Sequence, residues 1–199
     1  MSSSEIDQRD ARIFKALVDF FGPGTAEPKA FHNSTKTTSV RSLLIHFANY
    51  TSFNFKISQL SGPFGSYKPS DVLDFSGKYG YEQWLAELDH DPDYKYDPDH
   101  DYDHAEHDEG GLVISVYFTP IVPAGSGEQP FGCSLDATVL HNRSRATLEW
   151  YDSGDVIEES SKLIQIVAGK ELRLSHVISE PDSRGRAYLN AKIEEVGYL

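Results

Sequence analysis

Histidine and carboxylate are the side chains here that could do metal chemistry, and they crowd into one stretch. Residues 89–109 hold eight Asp, two Glu and one Lys, so −9 of the chain's net charge of −13 lies there. His90, His100, His104 and His107 stand among those carboxylates, donors that suit a divalent cation. The spacing does not build a site. Asp97-x-Asp99-x-Asp101 lacks the Gly and the terminal Glu of a calcium loop. Weak cation binding is the expectation, with no structural metal and no cofactor. The other histidines, His32, His46, His141 and His176, are scattered singly. Cys133 is the one cysteine and opens a strand-like run, which suits a small buried hydrophobe better than a nucleophile. No nucleophile elbow, phosphate-binding Gly loop, dinucleotide fingerprint or HExxH is present. The reading is therefore a binding protein and not an enzyme.

The aromatic residues point the same way. The 11 Phe, 11 Tyr and 2 Trp include Phe64, Tyr67, Tyr79, Tyr81, Trp84, Phe131, Trp150 and Tyr151 near turns or strand ends. Rings at such places suit a membrane interface, a sugar face or the rim of a core.

The elements that must position these rings are mostly strands. Residues 4–21 read as a helix, with a capping box pairing Ser2 with Glu5 and a stop at Gly22-Pro23-Gly24. Ile13, Phe14, Leu17, Val18 and Phe21 recur at helical spacing, although Asp10 falls on the same face. Such a helix can pack on a sheet or lie in a bilayer interface. Residues 22–38 read as a linker. Leu43, Ile45 and Phe47 alternate with Leu44, His46 and Ala48, and Phe53, Phe55 and Ile57 resume the pattern after Asn49-Tyr50-Thr51-Ser52. This predicts a hairpin over 39–57. Further strands follow at 112–118, 133–141, 146–152, 161–169, 171–179 and 186–196, separated by turn-forming clusters. The pattern is that of an all-β sandwich. The division is a helix and linker at 1–38 and a sandwich at 39–199, with 89–109 as a solvated insertion.

A net charge of −13 argues against nucleic acid and against anionic membranes. No secretory signal and no run of roughly 18 apolar residues is visible. The expectation is a soluble protein, cytoplasmic or unconventionally secreted.

The order of parts resembles the actinoporin family of membrane-binding cytolysins, and fungal actinoporin-like or aegerolysin-like sphingolipid binders. The resemblance is carried by the helix 4–21 and by short stretches: Leu44–Thr51, Ser70–Leu73, Gly111–Pro120, Ser134–Val139 and Ser183–Ile193. The chain departs from it in the acidic insertion and in lacking an Arg-Gly-Asp step, for which Ser153-Gly154-Asp155 is the nearest. The resemblance implies an actinoporin-like β-sandwich that binds sphingomyelin-containing membranes, with or without cholesterol, from the outer face of the target cell. It places a phosphocholine pocket near Thr119, Phe131, Trp150 and Tyr151, with Tyr117 beside them. It makes Phe14, Leu17, Val18 and Phe21 the membrane face of the helix, while the missing step leaves pore formation less expected than lipid binding. A glycan-binding lectin is the alternative.

Overall fold

The computed structural model describes residues 3–27, 39–89, 111–122, 131–140, 142–151, 163–183 and 185–197. The acidic stretch beyond Asp89, including its four histidines, lies outside them, as does most of the predicted linker. Helix α1 (Ser3–Phe21) is followed by ten strands: β1 (Ser39–Tyr50), β2 (Phe55–Ser61), β3 (Val72–Leu73), β4 (Glu82–Asp89) and β5 (Leu112–Pro120), then β6 (Gly132–Val139), β7 (Ser144–Tyr151), β8 (Ile164–Val167), β9 (Lys170–Ile178) and β10 (Arg186–Glu195). They form two five-stranded sheets, ordered β4-β1-β10-β9-β8 and β3-β2-β5-β6-β7. The chain is an all-β sandwich carrying an N-terminal helix.

The alternating residues meet between the sheets. Leu43, Ile45 and Phe47 of β1 face Ile114, Val116 and Phe118 of β5 and Leu135 and Ala137 of β6 in one continuous core. Its aromatic centre stacks Phe47 on Trp84, with ring centroids 5.0 Å apart, and sets Phe47 edge-on to Phe118 at 5.3 Å.

The predicted 39–57 hairpin does not form. β1 pairs with β10 and β4, β2 pairs with β5 and β3, and the chain crosses between sheets at residues 51–54. Polar side chains bind this corner to itself. Asn49 Nδ2 donates to the carbonyls of Phe53 (2.7 Å) and Leu73 (3.1 Å), and its Oδ1 accepts from Thr51 Oγ1 at 2.8 Å. The Ser52 amide and hydroxyl both donate to Glu195, whose other oxygen accepts from Lys170 at 2.7 Å. Buried backbone groups must be paired, and here side chains do what a hairpin ladder would have done.

The second face of β1 is covered by α1. Ile13, Leu17 and Phe21 pack on Ala48 and Tyr50, flanked by Phe20, Tyr81 and Tyr188. Phe21 stacks on Tyr81 with ring centroids 5.7 Å apart. Beyond the helix, the chain is gripped by Tyr79, whose ring leaves no room for a side chain at Gly22 or Gly24: a Cβ at either would come within 2.5 Å of it. Gly22 also has φ of 117°, which favours glycine. At the other end Arg9 lies 3.5 Å from Asp182 in an ion pair. Of the four residues given to a membrane face, Leu17 and Phe21 are buried against the sheet, and Phe14 and Val18 are half-buried. Burial of apolar surface is worth about 25 cal/mol per Å² in either place, so docking on β1 competes directly with any interface.

Under this helix lies a buried polar pair. β1 and β10 run parallel and place His46 opposite Asn190. His46 Nδ1 is 2.9 Å from Asn190 Oδ1, and its Nε2 has no hydrogen-bond partner among the described residues. Burial lowers the imidazole to about 4, more than the Asn190 hydrogen bond restores. The ring is neutral at pH 7.

Candidate functional site

Strand parity decides which of the nominated residues can reach a ligand. On β5, residues 112, 114, 116, 118 and 120 turn into the core, which leaves Tyr117 and Thr119 on the outer face. On β7, Leu148 and Trp150 turn inward, while Glu149 and Tyr151 face out. Tyr117 is paired with Ser134, which is paired with Glu149, and Gly132 is paired with Tyr151. One patch of the outer face therefore gathers Tyr117, Thr119, Gly132, Ser134, Glu149 and Tyr151.

Its geometry depends on the glycine. The Tyr151 ring lies across Gly132, and a Cβ there would come within 2.3 Å of it. With that space free, the ring meets Tyr117 edge to face, with centroids 5.5 Å apart and planes at 84°. Ser134 between them is 6 % exposed. Two tyrosine rings with a carboxylate on the same face suit a cation too large to be hydrated tightly, a quaternary ammonium above all. Along the same face Ser115 Oγ donates to Asp136 Oδ1 at 2.6 Å.

The remaining nominated residues divide. Phe131, at the entry to β6, is half-buried and packs against the core from the end of the sandwich. Trp150 is 1 % exposed and belongs to the inter-sheet core. That corrects its expected place in a pocket: neighbouring residues of a strand point to opposite faces, so Trp150 and Tyr151 cannot line one site. The residues left unpredicted, Gly132, Ser134 and Glu149, follow from the same parity only once β6 is known to lie between β5 and β7.

The other reactive groups are placed quietly. Cys133 is wholly buried, and burial, then the Glu149 carboxylate, push its thiol well above the ordinary range. His176 Nε2 lies 3.0 Å from the Ala146 carbonyl across the sandwich. Among the described residues no group of three His, Cys, Asp or Glu is arranged to hold a metal ion. No described helix is long and apolar enough to cross a membrane.

No protein-family model matches the sequence. No curated protein matches it either. Among solved structures the chain is similar to the lipid binding protein Nakanori, with a TM-score of 0.45 and 11 % identity over 96 % of this chain and 79 % of that one. A likeness of that degree carries no inference about a ligand.

Proposed function

We propose that the protein acts by binding and not by catalysis, and that it recognises a membrane lipid through a phosphocholine headgroup. Sphingomyelin is the proposed target, with or without cholesterol. Tyr117 and Tyr151 take the quaternary ammonium, Glu149 adds opposite charge on the same face, and Thr119 borders the patch toward the end of the sandwich. The observation that carries this reading is the edge-to-face tyrosine pair laid over Gly132. The charge balance supports a zwitterionic target, because a chain at −13 gains nothing from anionic lipid. Helix α1 enters the reading as a cover for β1, and no pore is proposed.

Calorimetric titration with soluble phosphocholine tests the reading. Wild type should bind, and Tyr117→Ala and Tyr151→Ala should each weaken binding by roughly fivefold or more, the scale of one partly desolvated cation–π contact. Unchanged binding in both variants would contradict it. Strong glycan-array signals without any response to phosphocholine would favour the lectin reading, since the same tyrosine face lies beside the Ser115–Asp136 pair.

A further inference from the structure

A cleft lies outside the tyrosine patch. At the end of the sandwich, where the 51–54 corner, the exit of β5 and the β8–β9 turn converge, Ser52, Phe53, Ile121, Val122, Ala168 and Lys170 line an open cleft of about 470 Å³. That is within the range of small-molecule sites, roughly 300–1,000 Å³. Two features give it shape. Ile121 N donates to the Asn54 carbonyl at 2.7 Å, which ties the exit of β5 to the corner. Ala168 and Gly169 both have positive φ (47° and 77°), a tight two-residue turn that presents only a methyl group to the cleft.

Chemistry narrows the occupant. Among the described residues lining the cleft the one cation is Lys170, 2.7 Å from Glu195, whose side chain is 3 % exposed. Burial alone would raise that carboxyl, but the hydrogen bonds from Lys170 and Ser52 prevail and hold it below the usual carboxylate range. The lip is therefore an internally neutralised pair and offers no net charge to an anion. Ser52 on the wall has its hydroxyl committed to Glu195, the lining residues other than Ser52 and Lys170 are apolar, and Ile121 is left 50 % exposed at the rim. Ile121 directly follows β5, four residues beyond Tyr117, a span of about 13 Å in an extended chain.

We infer that this cleft takes an uncharged alkyl chain, the hydrocarbon tail of the same amphiphile whose headgroup lies on the Tyr117–Tyr151 face. The inference rests on the headgroup reading for its commitment to a lipid tail, and it adds a second point of selection. A choline compound with no chain fills half of the site. A chain that leaves the headgroup in the direction of Ile121 fills both halves.

The test is a titration of the full chain with phosphocholine and with alkylphosphocholines of increasing length, each below its aggregation concentration, and with an alkyl maltoside series as the arm lacking the headgroup. Affinity should rise by up to about fourfold per methylene until the cleft is full and then level off. Val122→Trp, which fills the cleft, should abolish the chain-length increment while leaving phosphocholine affinity unchanged. Ile121→Asp, at an exposed rim position that tolerates polarity, should do the same. Phosphocholine binding with no gain from the chain, or a gain that survives both variants, would overturn the cleft and leave the headgroup reading standing. Chain-dependent binding of the maltosides, removed by Val122→Trp and with no response to phosphocholine, would support the cleft and overturn the headgroup reading. Binding of none of these ligands would overturn both.

Discussion

Acid should loosen this fold through His46, and the size of the effect follows from its surroundings. The imidazole is fully buried, its Nδ1 is engaged by Asn190, and Tyr81 meets it edge-on at 5.1 Å. A second proton at Nε2 would have no acceptor among the described residues. In the unfolded chain the ring titrates near 6.5, and in the folded protein near 4. The unfolded state therefore binds more protons between those values, and linkage makes stability fall as pH drops through that window. The full contribution of the neutral ring is present above about 6.5. On the order of 3 kcal/mol is lost once pH is below 4, of which about 2 kcal/mol is gone by pH 5. In a chain of this length that is a fall in Tm of about 4–8 °C between pH 7 and pH 5. Glu195 also titrates in acid, but with a carboxyl held below its usual range its loss falls at lower pH. Among the described groups whose titration is shifted, His46 is the one that acts between pH 6.5 and 5. Thermal melts followed by circular dichroism at pH 7, 6 and 5 would read it, with His46→Gln as the non-titrating control. The wild type should lose stability and the variant should stay nearly flat over that interval. Equal slopes in the two proteins would refute the reasoning.

Gly132→Ala should push the Tyr151 ring off the outer face and weaken phosphocholine binding, at a stability cost of about 1–3 kcal/mol for overpacking. Asn49→Ala should cost about 1–3 kcal/mol by denaturant titration, because it takes the Nδ2 donor from the buried Phe53 and Leu73 carbonyls, of which the Phe53 carbonyl keeps Thr51 Oγ1 at 3.1 Å. Leu17→Ala should cost about 2–5 kcal/mol, and the unpacked helix should then expose its amides to hydrogen exchange before β1 does. Exchange protection of α1 unchanged in that variant would mean that the helix does not depend on its contact with the sheet.

Much of the fold was legible in the spacing of residues. The helix follows from Ile13, Leu17 and Phe21, and strands such as Leu112–Pro120 follow from strict alternation. The sheet assignments were not legible, because alternation says which face a residue takes and nothing about which strand lies beside it. Asn49 and Thr51 read as a hairpin turn, yet their side chains are committed to a crossing between sheets. The His46–Asn190 contact joins residues 144 positions apart across a parallel pair. No local pattern encodes that. The tyrosine patch was half legible: Tyr117, Thr119 and Tyr151 share the face, and the alternation in β7 already set Trp150 opposite Tyr151. Gly132 could not be recognised as the floor of a site without knowing that β6 runs between their strands.

Sedimentation with sphingomyelin and with phosphatidylserine vesicles, comparing wild type with Tyr117→Ala/Tyr151→Ala, tests the central claim most directly. The account predicts that wild type pellets with sphingomyelin vesicles, stays in the supernatant with phosphatidylserine vesicles, and loses the first behaviour when both rings are removed from an otherwise folded protein. Equal or stronger binding to phosphatidylserine, or undiminished sphingomyelin binding by the double variant, would contradict it.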